Sequence, residues 1–423
     1  MTAPGVVIVG AGQAAAVAAH ALRGHGYRGR ITMLGRERHK PYERPPLSKA
    51  VLVAPEEPGL DVIAQDAWER VDIDLRSSNE AVALDLSARE VRLADGQVLP
   101  YEICLIATGG EARTLASAPP GRSHVHYVRT IDDARRLRAA LQGKPRIAIL
   151  GGGFLGLEIA SSAMAAGSAV TVIERATSLL DRFLPPEASA WLESGLQQAG
   201  ARLMLGAALE RIDILPEDRM RLSTDVGELE ADEIVVAIGL TPNDALARDA
   251  GLEVAAGGGV LVDAHCRTSN EHVFACGDCT SQQRPGYETP TRLESWQNAN
   301  EQARTAAAAM VGATAPAPAV PWFWTDQGRH NIQMLGLPAP GLEYVRRGDP
   351  ATGKVLWIGH RGGVPLHGVA IDAGADLRAI RPLFEQGKPV LLDEFQQDAT
   401  DLRAWAKQMR GGVRSTVQPP LKA

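Results

Sequence analysis

Short apolar runs alternate along the chain with alanine-rich and amphipathic stretches, the pattern of buried strands joined by helices. Val6–Val9 is four apolar residues in a row, a strand buried on both faces as in the middle of a parallel sheet. It ends in Gly10-Ala11-Gly12-Gln13-Ala14-Ala15, which opens an Ala-rich helix reaching about Arg23, and Arg30–Leu34 follows as a second strand. The same succession returns in Arg146–Glu158, where strand, Gly151-x-Gly153-x-x-Gly156 and helix precede Val170–Glu174, a strand closing on an acid. Ile103–Ala107 is a further strand, ending in Thr108-Gly109-Gly110, a crossing signal. His272–Ala275 is another, and a helix begins near Gln297. Gly312–Pro321, with Pro316, Pro318 and Pro321 closely spaced, reads as a linker. After it, Ile332–Leu335, Val355–Gly359 and Gly368–Ile371 are candidate strands, Asp376–Arg381 a short helix ended by Pro382, and Gly411–Ala423 a loose tail.

The repeated turn carries chemistry. Gly10 permits a tight turn, Gly12 lets a pyrophosphate approach the backbone, and Ala15 lets the helix lie close on its strand. The helix N-terminus supplies N–H groups and partial positive charge for phosphates. One glycine turn could serve any strand-to-helix junction. Two copies about 140 residues apart, each with a second strand and an acid, predict two Rossmann-like dinucleotide sites. In the first copy Glu37 stands where a ribose-binding acid is expected, with Arg36 before it; in the second the acid is Glu174. An acid at that position favours NADH over NADPH, and Arg175 beside it leaves some tolerance of the 2′-phosphate. In Lys40–Lys49, KPYERPPLSK, three prolines predict an extended loop unable to join helix or sheet.

Bulk properties narrow the classes. With 423 residues two or three domains are expected. The formal charge of −6 gives no sign of nucleic acid, and no run approaches membrane-spanning length, so a cytoplasmic protein is expected. From Pro321 onward there are 13 Lys+Arg against 10 Asp+Glu, leaving +3 there and −9 elsewhere; either an acidic partner is steered to that part or the charge is solvated surface. Arg36–Lys49 adds five basic residues against two acids. The cysteines are Cys104, Cys266, Cys276 and Cys279, too few for a disulfide framework, and a four-ligand zinc site would need a second pair beside Cys276 and Cys279. Cys276-Gly-Asp-Cys279 has redox-pair spacing, but it follows a buried strand and reads as core.

PYERPPLSK after an N-terminal glycine turn, Ala107-Thr108-Gly109, GGGFLGLE, Thr241-Pro242-Asn243, FACGD and WFWTDQ occur in one order from Val6 to about Leu402. In this the chain resembles the NADH-dependent flavoprotein ferredoxin reductases that serve bacterial Rieske-type oxygenases and some cytochromes P450. Putidaredoxin and rubredoxin reductases and the apoptosis-inducing factor are related to them. The resemblance implies a glutathione-reductase-like α/β fold: a split FAD domain (1–110 and 239–315), an NAD(H) domain (111–238), and a C-terminal α+β domain (316–423). It implies that hydride passes from NADH to FAD, and single electrons pass on to a [2Fe-2S] ferredoxin, for which the basic C-terminal part and the Arg36–Lys49 loop suggest an acidic surface. Lys49 and Glu158 would flank the hydride path, and Trp324 would lie between flavin and partner unless it is a core tryptophan.

FAD would be held by Gly10, Gly12, Gln13, Ala14, Ala15, Arg36, Glu37, Arg44, Pro45, Lys49, Val82, Ala107, Thr108, Gly109, Arg129, Gly277, Asp278, Glu294, Ser295, Trp296 and Trp324. NADH would be held by Gly151, Gly152, Gly153, Phe154, Leu155, Gly156, Glu158, Glu174, Arg182, Ile238 and Gly239. Arg36 is expected as a backbone contact, and Arg129 has the alternative of pairing with Asp132 or Asp133. No metal site and no particular oligomeric state are implied. A disulfide or peroxide reductase would need a cysteine near the flavin early in the FAD domain, and none occurs in the first 103 residues. A P450-type ferredoxin or rubredoxin as acceptor, or an NADH-responsive interaction protein, are the other readings.

Overall fold

The computed structural model describes residues 4–216, 219–284, 287 and 289–410. The expected tail at 411–423 lies outside them. Gly5–Val9 is the middle of the first sheet, with Ile31–Leu34 and Val98–Ile106 parallel on either side. Asp74–Arg76 and Val273–Ala275 extend it in parallel, and Glu90–Leu93 and Ala81–Asp85 add an antiparallel edge. Helix Gln13–Gly24 buries Ala14, Ala15, Ala16, Ala18, Ala19 and Leu22; small side chains let it lie close to the sheet and to helix Trp296–Met310, itself Ala-rich.

The second sheet is wholly parallel, in the order Arg202–Leu205, Ala169–Glu174, Arg146–Leu150, Glu233–Val236, Val125–His126. The chain passes between the two sheets on an antiparallel ribbon in which Gly110–Ala112 pairs with Leu240–Pro242. Thr108 and Asn243 lock this crossing, the Thr108 hydroxyl donating to the Asn243 carbonyl at 2.6 Å.

The C-terminal part is a five-stranded antiparallel sheet ordered Trp322–Gln327, His330–Gly336, Val364–Ile371, Lys354–Arg361, Glu343–Asp349. Along its first strand side chains alternate. Phe323, Thr325 and Gln327 meet helix Phe154–Ala165, while Trp322 and Trp324 stack on each other 5.1 Å apart.

Two expectations fail. Pro45–Ser48 is not extended but a 3₁₀ turn, followed by helix Ala50–Val53. Proline's fixed φ suits the first turn of a helix, where its missing N–H costs nothing. Pro382 likewise does not end its helix, which runs from Gly374 to Gln386 around it. Leu377, Ile380 and Leu383 bury on one face of that helix, and this packing outweighs the lost hydrogen bond to the Arg378 carbonyl.

Candidate active site

The two glycine turns, the crossing ribbon and the first strand of the C-terminal sheet open on one cleft of about 1880 Å³. That is roughly twice the upper end for a drug-sized ligand, room enough for two dinucleotides. Every residue predicted to hold FAD or NADH lines it except Ala15 and Gly156. Those two belong to packing: Ala15 is fully buried, and a Cβ on Gly156 would stand 2.1 Å from the Gly151 carbonyl oxygen. Gly10 (φ +119°) and Gly151 (φ +111°) turn left-handed, and a Cβ there would meet the Ala107 or Ala237 carbonyl oxygen at 2.2 or 2.4 Å. Beside Gly12 and Gly153 a Cβ would meet nothing, so the backbone is open to the cleft.

At the first turn, the Glu37 carboxylate accepts from the Tyr42 hydroxyl at 2.5 Å and from Arg44 at 2.7 Å. Burial pushes its carboxyl up, but Arg44 and Tyr42 outweigh this and hold it below the usual range. Burial drives the Tyr42 hydroxyl up to about 12. Arg36 turns its guanidinium to Glu111 and Glu80. Arg129 does not pair its side chain with Asp132 or Asp133. Its guanidinium donates to the Gly110 carbonyl at 2.8 Å and reaches Asp278 at 3.3 Å, while Asp133 takes its backbone N–H and caps the next helix. Burial pushes the Glu294 carboxyl up.

At the second turn, the Glu174 carboxylate accepts from the N–H groups of Gly152 and Ala176, each at 2.7 Å. The acid therefore braces the glycine loop as well as facing the cleft. Phe154, the first residue of the following helix, packs its ring against Phe183 (4.8 Å) and Phe323 (4.5 Å).

Two remote segments converge on Glu158. The Ser48 hydroxyl donates to one carboxylate oxygen at 2.6 Å; the Thr325 hydroxyl (2.8 Å) and Lys49 (3.1 Å) donate to the other. Lys49 also reaches Asp326 at 3.0 Å and lies 5.6 Å over the Trp324 ring. Trp324 is half-buried, not in a core, and Trp296 meets it edge-on at 6.0 Å while its indole N–H points to Glu43 at 3.3 Å. Pro45, Lys49, Trp296 and Trp324 line both the cleft and an outer depression that Glu43, Pro46, Ala50 and Asp326 complete, so they form the wall between the two. Ser48, Thr325 and Asp326 were not singled out in the sequence, although PPLSK and WFWTDQ contain them.

The four cysteines carry free, buried thiols, each pushed up by burial and so far from the reactive thiolate.

Residues 4–303 match the family model described as pyridine nucleotide-disulphide oxidoreductase, and residues 322–406 match the reductase C-terminal model. The chain is a member of the pyridine nucleotide-disulphide oxidoreductase family. It is 40% identical over 389 residues, 92% of its own length and 95% of the relative's, to the ferredoxin–NAD(+) reductase component of the anthranilate 1,2-dioxygenase system of Burkholderia cepacia. Its fold is similar to putidaredoxin reductase in covalent complex with putidaredoxin (TM-score 0.91, 30% identity, 98% of this chain and 100% of that one). It is also similar to the ferredoxin reductase for the CYP199A2 system from Rhodopseudomonas palustris (TM-score 0.90, 32% identity, 96% and 100%).

The family and these reductases use FAD and NAD(H), and this chain is an FAD-dependent oxidoreductase. Its cleft fits such ligands. Neither helix that starts at a glycine turn has a side-chain cap, so its first N–H groups are left for phosphate oxygens. Gln13 Oε1 is buried on the cleft without a hydrogen-bond partner. Among the described residues, no helix of this family member is long and apolar enough to cross a membrane.

Proposed function

We propose that this chain is the reductase component of a Rieske-type aromatic-ring oxygenase system, moving electrons from NADH through FAD to a [2Fe-2S] ferredoxin in the cytoplasm. The 40% identical relative, named as the ferredoxin–NAD(+) reductase component of a dioxygenase system, supports the oxygenase class. The observation that carries the reading is the wall of Pro45, Lys49, Trp296 and Trp324, which borders the cleft and an open depression. The first sheet, with 1–110 and 239–315, would hold FAD. The second, with 111–238, would hold NAD(H), and the C-terminal part 316–423 would close the cleft. When bound, FAD takes two electrons from the nicotinamide and releases them singly. Glu158 offsets the Lys49 charge and fixes that ammonium at the wall; Arg44, Arg129 and Asp278 form the charged floor of the FAD half. Glu174 reads the ribose 2′-hydroxyl with NADH preferred, and Arg175 on the cleft leaves some NADPH use.

The ferredoxin is read as acidic on the +3 of the C-terminal part. The basic loop contributes less than its count suggests. Arg36, Arg38, Arg44 and Lys49 are all ion-paired, and only Lys40 has no ion-pair partner among the described residues. The solved ferredoxin reductase for the CYP199A2 system supports a second reading with a P450-type ferredoxin. Anaerobic mixing with NADH tests the whole. The yellow protein should bleach within the dead time to seconds and regain its colour when oxidised ferredoxin is added. A colour that stays bleached with every ferredoxin offered would point to an NADH-responsive interaction protein instead. A preference for Rieske-type over P450-type ferredoxins separates the first two readings.

A further inference from the structure

Lys49 stands between two carboxylates on opposite faces of the wall, Glu158 at 3.1 Å and Asp326 at 3.0 Å. Glu158, its side chain 10% exposed, lines the cleft; Asp326, 41% exposed, lines the outer depression and not the cleft. Neither acid is free to follow the lysine. Glu158 is pinned by Ser48 and Thr325, and Asp326 accepts from the Asn331 amide at 2.7 Å on its other oxygen. Burial pushes the Asp326 carboxyl up, but the Asn331 and Lys49 hydrogen bonds outweigh it and keep the group below the usual carboxylate range. The cluster is therefore one cation and two anions. Lys49 is shared about equally between the anion that lines the cleft and one that does not.

We propose that Asp326 is a positioning residue that acts through Lys49, setting where the ammonium sits and how much of its positive charge reaches the flavin. This rests on the reading of Lys49 and Glu158 as the pair beside the flavin. Without the Asp326 charge, Lys49 pairs with Glu158 alone on the cleft side, and the cluster goes from −1 to neutral. Positive potential in the cleft then rises, which favours the electron-rich form of any redox group bound there and disfavours its release of electrons.

The test is the midpoint potential of the FAD-loaded protein, by dye equilibration, for wild type, Asp326→Asn, Asp326→Glu, Lys49→Met and the Lys49→Met/Asp326→Asn double variant. FAD content and melting temperature check folding, and Asp326→Ser replaces the asparagine variant if that one loses FAD. Asp326→Asn should raise the potential and slow ferredoxin reduction about fivefold without slowing bleaching by NADH, and Asp326→Glu should restore both. In the Lys49→Met background the Asp326→Asn shift should fall to less than half. An unchanged potential in Asp326→Asn, or an equal shift with and without Lys49, overturns the positioning role while leaving the Lys49 reading intact. If Lys49→Met itself leaves the potential unmoved, the Lys49 reading falls and the proposal with it.

Discussion

His367, 1% exposed on the cleft, keeps its imidazole out of water with the Tyr344 hydroxyl 2.8 Å from Nδ1. Burial lowers its pKa from the ordinary 6.5 to about 4. As pH falls through 6.5 the unfolded chain takes up a proton that the folded chain refuses until about 4, so stability falls across that window. The difference corresponds to roughly 3 kcal/mol when complete. His367→Gln keeps an acceptor for Tyr344 and removes the titration. Urea unfolding at about pH 7 and about pH 4.5 should show the variant losing less stability than wild type, by about 2–3 kcal/mol. Equal losses would mean the imidazole titrates as it does in water. Nothing in the sequence marks this histidine, because its partner Tyr344 lies two strands away in the sheet and not beside it in the chain. The glycine turns are the opposite case: their φ angles and close backbone contacts are local demands, and Gly10 and Gly151 announce them in the sequence.

Elements were legible where local pattern and tertiary packing agree. Val6–Val9 and Val170–Glu174 fall within a residue of strands Gly5–Val9 and Ala169–Glu174. Strand Glu343–Asp349 was missed, since its half-exposed residues show no clean alternation. Pro382 misled because proline is a local signal and the face carrying Leu377, Ile380 and Leu383 is a tertiary one. An interior proline costs about 3 kcal/mol relative to alanine, and its stiffness in the unfolded chain returns about 1 kcal/mol. Pro382→Ala should therefore stabilise the C-terminal part by about 2 kcal/mol and raise the melting temperature. A lower melting temperature would show that the proline ring is needed where this helix packs in one core with Phe395 and Trp405.

At the scale of the whole molecule, the site exists only where three distant segments meet. Glu158 is 110 residues from Ser48 and 167 from Thr325, and Lys49 is 277 from Asp326. Sequence motifs located each segment, but no local spacing could show that one carboxylate joins them. The charge pattern was the part least legible from counts, because ion pairs neutralise most of the Arg36–Lys49 loop.

The claim with most resting on it is that Trp324 stands between the cleft and the ferredoxin. Rapid mixing of wild type and Trp324→Ala, with NADH in one experiment and ferredoxin in the next, separates the two half-reactions. The ferredoxin step should slow about tenfold in the variant, a barrier change near 1.4 kcal/mol, while bleaching by NADH changes less than about twofold. An unchanged ferredoxin rate, or equal slowing of both steps, would contradict the account.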